Sequence, residues 1–322
     1  MTHQTVAILE PGYATYDTER SVLAAHDINI MPVGADVAAV PALRALDPVA
    51  LLVRERTVDA AVLDACPNLK VVVRYGVGVD NIDLETARLH GIYVANVPDY
   101  GAENEVSEHA VALYLAVQRR IVSRDGEVRN GAWGVGQAAM IPNREGAVLG
   151  LIGCGKIGLA AARKFRVLGF GRVVVADPYL SVEAALEAGV EQVSLDDLCR
   201  TADVISLHAP LTPETRHILD DRQIALMKPT TIVVNVSRGG LVDETALTEA
   251  LTEGRIFGAG IDVFEREPVA RDNPLLSAPH TIISDHAGWY SERSVAVLQG
   301  NAALEIDRVL SGKPPKSWVN PW

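Results

Sequence analysis

Arg238, Glu267 and His286 each fall shortly after an apolar run that reads as a short strand, at 232–236, 257–261 and 281–284. Ligands of an open parallel sheet bind beyond the carboxyl ends of its strands, so side chains at those ends are the first to consider. A guanidinium on the turn Gly239-Gly240 can hold a carboxylate in bidentate fashion while donating to a neighbouring carbonyl oxygen, which lysine does less well. A histidine can pass a proton to an oxygen that gains charge, and a carboxylate at its other ring nitrogen would favour the charged form and set the tautomer. Such a set suits the reduction of a ketone near neutral pH. The plainer readings are a surface arginine beside a helix cap and, for most of the eight histidines, surface or packing roles. Position at a strand end is what selects His286.

A second constellation lies upstream. The apolar run 148–152 feeds directly into Gly153-Cys154-Gly155-Lys156-Ile157-Gly158. A helical pattern with Leu159, Ala162, Phe165 and Leu168 follows until Gly169, and then an apolar strand 172–176 ends at Asp177. The first glycine permits the tight turn, the second lets a pyrophosphate approach the backbone over the helix N-terminus, and the third lets helix and strand pack closely. Asp177, nineteen residues past Gly158, is placed to accept hydrogen bonds from ribose hydroxyls. It favours NAD, because a 2′-phosphate would meet its charge and Pro178-Tyr179-Leu180 supply no arginine. The bland alternative is an ordinary strand–helix turn.

A third stretch, Arg74-Tyr75-Gly76-Val77-Gly78-Val79-Asp80-Asn81, follows an apolar run at 70–73. Backbone N–H groups between glycines can form a concavity for a carboxylate. An ordinary turn with Asp80 capping a helix accounts for it equally well.

The elements that would position these residues alternate strand and helix, which argues for parallel sheets covered by helices. Strands at 6–9, 28–33, 49–53, 70–73 and 92–95, with a helix at 58–65, make a smaller α/β domain. Strands at 204–207, 232–236, 257–261 and 281–284, and a helix 243–253 between Asp243 as N-cap and Gly254 as stop, continue the dinucleotide unit. Two long amphipathic helices flank that unit, one with Val106, Ala110, Leu113, Val117 and Ile121 on its apolar face, the other with Val295, Leu298, Ala302, Ile306 and Val309. They place the boundaries near residues 101 and 289: a dinucleotide domain over 102–289 inserted into a domain made of 1–101 plus 290–322.

Length and composition agree with two globular domains: 322 residues, 48% hydrophobic and 22% charged. A net charge of −12 disfavours nucleic acid or an anionic membrane as partner. Cys66, Cys154 and Cys199 are odd in number and widely spaced, which disfavours a disulfide framework or a metal site and points to a reducing cytoplasm. The start at Met1-Thr2-His3-Gln4-Thr5 lacks the basic and apolar regions of a secretory leader.

Taken together and in this order, RYGVGVDNID at 74–83, GLIGCGKIG at 150–158, NVSRGGLVDE at 235–244, DVFEREP at 262–268 and HAGWYSE at 286–292 resemble the D-isomer-specific 2-hydroxyacid dehydrogenases over essentially the whole chain. Asp177-Pro178-Tyr179-Leu180 and Trp289-Tyr290-Ser291-Glu292 are similar to the C-terminal-binding protein branch, whose members bind NAD tightly and include transcriptional corepressors.

The resemblance implies a Rossmann-type NAD domain inserted into a flavodoxin-like substrate domain, and interconversion of a small 2-oxo acid and its D-2-hydroxy acid. Arg238 would bind and polarise the substrate, Glu267 would pair with His286, and His286 would be the general acid/base. Arg54, Gly76, Val77, Gly78 and Trp289 would contact the substrate. Gly153, Gly155, Lys156, Ile157, Gly158, Asp177, Ala209, Pro210, Thr215, Val236, Ser237, Asp262 and Gly288 would line the cofactor. A homodimer built on the dinucleotide domain is implied, and no metal. Where the family commonly has proline before the catalytic histidine, this chain has Asp285. Gln in place of Glu267 would indicate formate dehydrogenases, and the end at Trp322 speaks against the long phosphoglycerate dehydrogenases. The rival expectation is an NAD(H)-sensing interaction protein of the corepressor type. Trp289 points to an apolar or thioether substrate side chain, whereas Arg54 and Arg56 point to a second acidic group.

Overall fold

Short runs of branched apolar residues bounded by turns become the strands. A computed structural model describes residues 4–134 and 140–322, so Met1, Thr2 and His3 of the start considered above lie outside the described residues. The chain forms two units, Met1–Gly101 with Ser291–Trp322, and Ala102–Tyr290.

In the first unit β1 (Gln4–Leu9), β2 (Ile28–Val33), β3 (Ala50–Val53), β4 (Val71–Arg74) and β5 (Tyr93–Ala95) form a sheet in the order β2-β1-β3-β4-β5. All its pairings are parallel. Every residue of β3 and β4 is buried, as a sheet covered on both faces requires. The strand order is the flavodoxin-like one. The C-terminal segment blocks the edge at β5: Val319 N donates to Val94 O at 2.9 Å, and the Asn320 side chain accepts from Val94 N at 2.8 Å and donates to Ile92 O at 3.0 Å. The helix Glu292–Leu310 begins at a Ser291–Ser294 capping box.

In the second unit β6 (Val148–Ile152), β7 (Arg172–Ala176), β8 (Glu191–Gln192), β9 (Val204–Leu207), β10 (Ile232–Asn235), β11 (Gly258–Ile261) and β12 (Thr281–Ile283) lie in the order β12-β11-β10-β9-β6-β7-β8. The chain starts at the centre with β6, winds outward to β8, and returns on the other side of β6 with β9. That is the doubly wound arrangement of a Rossmann domain, and the reversal between β6 and β9 opens a crevice at their carboxyl ends. The helix Ala102–Arg119 packs on the same sheet. A Cβ at Gly260 of β11 would meet Leu113 Cβ at 2.8 Å, so the helix sits where only glycine leaves room.

Three expectations are corrected. The first long helix ends at Arg119, because Arg120 is left-handed with φ 54°; Ile121 opens a separate helix, Ile121–Arg129, and is exposed. In the fingerprint helix Lys156–Val167 the packed face is Gly158, Ala161, Ala162 and Phe165. Leu168 is the C-cap and exposed, since a spacing of three drifts off one face of a helix with 3.6 residues per turn. Asp83, not Asp80, caps the helix Leu84–Leu89, accepting from Thr86 N at 3.0 Å. Asp243 does cap Glu244–Thr252, and Gly254 follows with φ 68°. Among the described residues no helix is long and apolar enough to cross a membrane.

Candidate active site

At the carboxyl end of β6, Gly153 takes φ 88°, and a Cβ there would sit 2.6 Å from Ala209 N. The two strand ends on either side of the crevice therefore approach as closely as backbone allows. Gly155 faces open space, while a Cβ at Gly158 would meet the Gly153 carbonyl oxygen at 2.5 Å. Lys156 and Ile157 begin the helix, with their N–H groups at its positive end. The turn thus has tight backbone at its first and third glycines and room at the second, as a pyrophosphate lying over the helix needs. Asp177 follows β7; its Oδ2 accepts from Cys154 N at 2.8 Å and its Oδ1 from Tyr179 N at 2.9 Å. Each oxygen keeps a lone pair for a ribose hydroxyl. These residues fit NAD.

After β9 the loop is pinned to its neighbours. Ser237 Oγ donates to Ala209 O at 2.6 Å, and Thr215 Oγ1 donates to Pro210 O at 2.7 Å, so both hydroxyls shape the loop. His208 is held under the glycine turn, its backbone N–H on Ile152 O at 2.7 Å and its Nε2 against Ser206 Oγ at 2.9 Å. Burial pushes its imidazole down to about 4, so it is neutral at physiological pH.

Adjacent strands β10, β11 and β12 carry the three candidate catalytic residues. Asn235 ends β10 and folds the next turn around itself: Oδ1 accepts from Ser237 N at 3.1 Å and Nδ2 donates to Arg238 O at 2.9 Å. Arg238 is extended and half-buried, with one guanidinium N–H on Ser237 O at 2.8 Å. Val236 is buried beside it. Beyond β11, Glu267 Oε1 accepts from Phe264 N at 3.0 Å and Oε2 lies 2.7 Å from His286 Nδ1. His286, past β12, is left-handed with φ 57°, and its N–H donates to Asp262 O at 2.8 Å. Such a backbone costs about 1–3 kcal/mol and persists only where its surroundings enforce it. The carboxylate accepts the Nδ1 proton, which leaves Nε2 as the ring nitrogen able to exchange a proton with another group. Asp285 is exposed, Gly288 buried and Trp289 half-buried.

In the other unit, Gly76 has φ 138°, and the space a side chain would take is filled by the Arg74 guanidinium. Arg74 is buried; it donates to Arg54 O at 3.2 Å and to Glu55 Oε1 at 2.6 Å, so it supports the glycine turn. Asn96 Nδ2 takes Val77 O at 2.6 Å, and among the described residues the N–H groups of Val77 and Gly78 have no acceptor. The two arginines separate. Arg56 spends its guanidinium on Gly34 O and Val37 O, at 3.1 and 2.6 Å. Arg54 is 30% exposed and only 3.9 Å from Glu10 Oε1, which leaves it the one able to meet an anion.

Sequence reasoning gave no role to Asn235, to Arg74 within the third stretch, to Glu55, or to His109 and Ser284, which meet at 2.8 Å between His109 Nε2 and Ser284 Oγ. Asn235 is legible in hindsight, since an asparagine at a strand end before a tight turn favours local side-chain bonding. Arg74 likewise ends a strand before a glycine turn, whereas nothing in the local pattern marks Glu55, His109 and Ser284, whose partners come from distant segments.

A parallel sheet with this winding and a glycine turn at its reversal place the chain among the doubly wound dinucleotide-binding α/β proteins. Residues 111–288 match the D-isomer specific 2-hydroxyacid dehydrogenase, NAD binding domain, family model. The chain is 41% identical over 267 residues to the glyoxylate reductase of Korarchaeum cryptofilum, covering 82% of this chain and 80% of that one. It is 42% identical over 261 residues to the D-3-phosphoglycerate dehydrogenase of Mycobacterium tuberculosis, covering 80% of this chain and 47% of that one, and so spans about half the length of that relative. Its structure is similar to D-lactate dehydrogenase of Aquifex aeolicus complexed with NAD and lactic acid, with a TM-score of 0.87 and 26% identity over 98% of this chain and 99% of that one. The chain belongs to the D-isomer-specific 2-hydroxyacid dehydrogenase family of NAD-dependent oxidoreductases.

Proposed function

We propose that this protein interconverts a small 2-oxo acid and its D-2-hydroxy acid, with His286 as general acid/base, Glu267 as its partner and Arg238 as the clamp on the substrate carboxylate and carbonyl. The reading is carried by one observation, the 2.7 Å contact between His286 Nδ1 and Glu267 Oε2, which orients a histidine at the end of a Rossmann strand. NADH, when bound, supplies the hydride. As the carbonyl oxygen gains charge, His286 Nε2 delivers a proton to it, and Glu267 stabilises the cationic ring that holds that proton beforehand. Arg238 balances the charge developing on the oxygen. Gly76, Val77 and Gly78 are assigned to the substrate carboxylate, Trp289 to the wall of its side chain, and Arg54 to a second anionic group when one is present. Ala209, Pro210, Val236, Ser237, Asp262 and Gly288 are assigned to the cofactor.

The relatives' names suggest glyoxylate, pyruvate and phosphorylated 2-oxo acids as acceptors to try. NADH oxidation measured on these, on 2-oxoglutarate and on an aromatic 2-oxo acid is the direct test. His286→Ala should abolish turnover while leaving NADH affinity within about threefold, and Arg238→Ala should lower kcat/KM by about two or more orders of magnitude. Unchanged kinetics in the Arg238 variant would overturn the assignment. The corepressor-type reading predicts NADH binding without turnover on any acid; the paired His286 and Glu267 favour the enzyme. A cytoplasmic location and a homodimer complete the proposal. The dimer is supported by exposed Ile121, Val122, Val128, Trp133 and Met140 in one stretch of the NAD-binding unit.

A further inference from the structure

The loop that carries His286 rests on a polar floor contributed by β11, β12 and the helix Ala102–Arg119. Asp262 is 1% exposed. Its Oδ1 accepts from Ser284 Oγ at 2.6 Å and Ala287 N at 3.0 Å, its Oδ2 from Gly288 N at 2.9 Å, and its carbonyl from His286 N at 2.8 Å. Burial by itself would push this carboxyl up, but hydrogen bonds from His109, Ser284 and Gly288 hold it down at about 2.

Ser284 has a single hydroxyl proton, and the carboxylate takes it. Its oxygen therefore accepts from His109 Nε2, which lies 2.8 Å away and 3.3 Å from Asp262 Oδ1. This order of donors requires a proton on Nε2 of His109. The packing leaves little slack, since a Cβ at Gly288 would meet Asp262 Oδ2 at 2.9 Å and His109 Cδ2 at 3.4 Å. Segment 286–288 thus has every one of its backbone N–H groups committed to Asp262, and Asp262 is oriented in turn by Ser284 and His109. The left-handed backbone of His286 needs such a restraint, because nothing in its own sequence holds it there.

We infer that His109 is a positioning residue for the His286–Glu267 pair: its Nε2–H, acting through Ser284 and Asp262, sets the backbone of 286–288 and so the direction in which His286 presents its catalytic nitrogen. The inference rests on the acid/base role given to His286 above. A leucine at 109 would fill the space and leave the Ser284 oxygen, which donates to Asp262, without its own donor, whereas glutamine can place an amide N–H near the Nε2 position.

The test compares His109→Leu, His109→Gln, Ser284→Ala and His286→Ala in the full chain, with NADH and the best 2-oxo acid from the panel. We expect His109→Leu to lower kcat about ten- to a hundredfold, as loss of alignment at a reacting centre does, with KM for the acid within about threefold. The isotope effect with 4-deuterated NADH should rise as the chemical step slows. His109→Gln should recover kcat to within about threefold of the parent, and Ser284→Ala should fall as His109→Leu does. A parent-like kcat in His109→Leu overturns the inference, and so does a folded His109→Gln protein as slow as the leucine variant. Should His109→Leu fail to fold, a parent-like kcat in Ser284→Ala overturns it instead. Turnover that survives in His286→Ala would instead refute the acid/base reading itself.

Discussion

Gly239→Ala adds one methyl group between Arg238 and the segment that holds Glu267. A Cβ at 239 would fall on the carbonyl carbon of Phe264 and beside the amide of Glu265, well inside contact distance. Ordinary contact begins near 3.4 Å, so the turn 237–240 and the segment 264–265 must part by more than about 1 Å. Neither is free to absorb the shift alone. Phe264 N holds Glu267 Oε1 at 3.0 Å and Glu267 Oε2 holds His286 at 2.7 Å, while Asn235 Nδ2 holds Arg238 O at 2.9 Å. The guanidinium and the acid/base pair must therefore move relative to each other. Overpacking of this kind costs about 1–3 kcal/mol of stability, and a misplacement of about 1 Å at a reacting centre costs about a hundredfold in rate. Steady-state NADH oxidation should show kcat/KM down about a hundredfold. Thermal unfolding should move down by a few degrees. A variant that loses the same thermal stability yet retains kcat/KM within about twofold would refute the idea that the two segments are rigidly coupled.

Asp177→Ala removes a charged acceptor at the ribose position, and NADH affinity should weaken about ten- to a hundredfold in fluorescence titration; an unchanged Kd would remove Asp177 from the cofactor site. Acid stability follows from two groups held below their ordinary pKa, half-buried His208 and buried Asp262. His208, held down at about 4 against 6.5 in the unfolded chain, makes the unfolded state bind the extra proton, so stability is full above pH 6.5 and declines as pH falls toward 4, by about 3 kcal/mol. Asp262, held at about 2 against 3.8, contributes above pH 3.8 and loses about 2 kcal/mol as pH falls toward 2. Urea midpoints between pH 7 and 4 should fall less steeply in His208→Gln than in the parent, and equal slopes would contradict the His208 account. Arg54→Ala should raise KM more for a 2-oxo acid with a second anionic group than for glyoxylate; equal effects on both would dismiss Arg54 as the distal contact.

The amino-acid sequence by itself determined the elements and the residues with chemical potential. Periodicity marks the strands and long helices, and the spacing of Gly153, Gly155, Gly158 and Asp177 marks the nucleotide turn, because these signals are local and a backbone needs them wherever it folds. The pairing of Glu267 with His286 was an expectation from resemblance, and the 2.7 Å contact needed β11 and β12 side by side. Only the tertiary structure decided which of Arg54 and Arg56 is available, since the difference lies in whether Gly34 and Val37 carbonyls reach the guanidinium from another loop. It alone placed His109, a half-buried residue in a helix otherwise read as an apolar stripe, against Ser284, 175 residues away. The physical reason is the same in each case: the strength and direction of a hydrogen bond depend on ångström-scale placement of its partners, and partners from distant segments leave no mark in the spacing of neighbours along the chain.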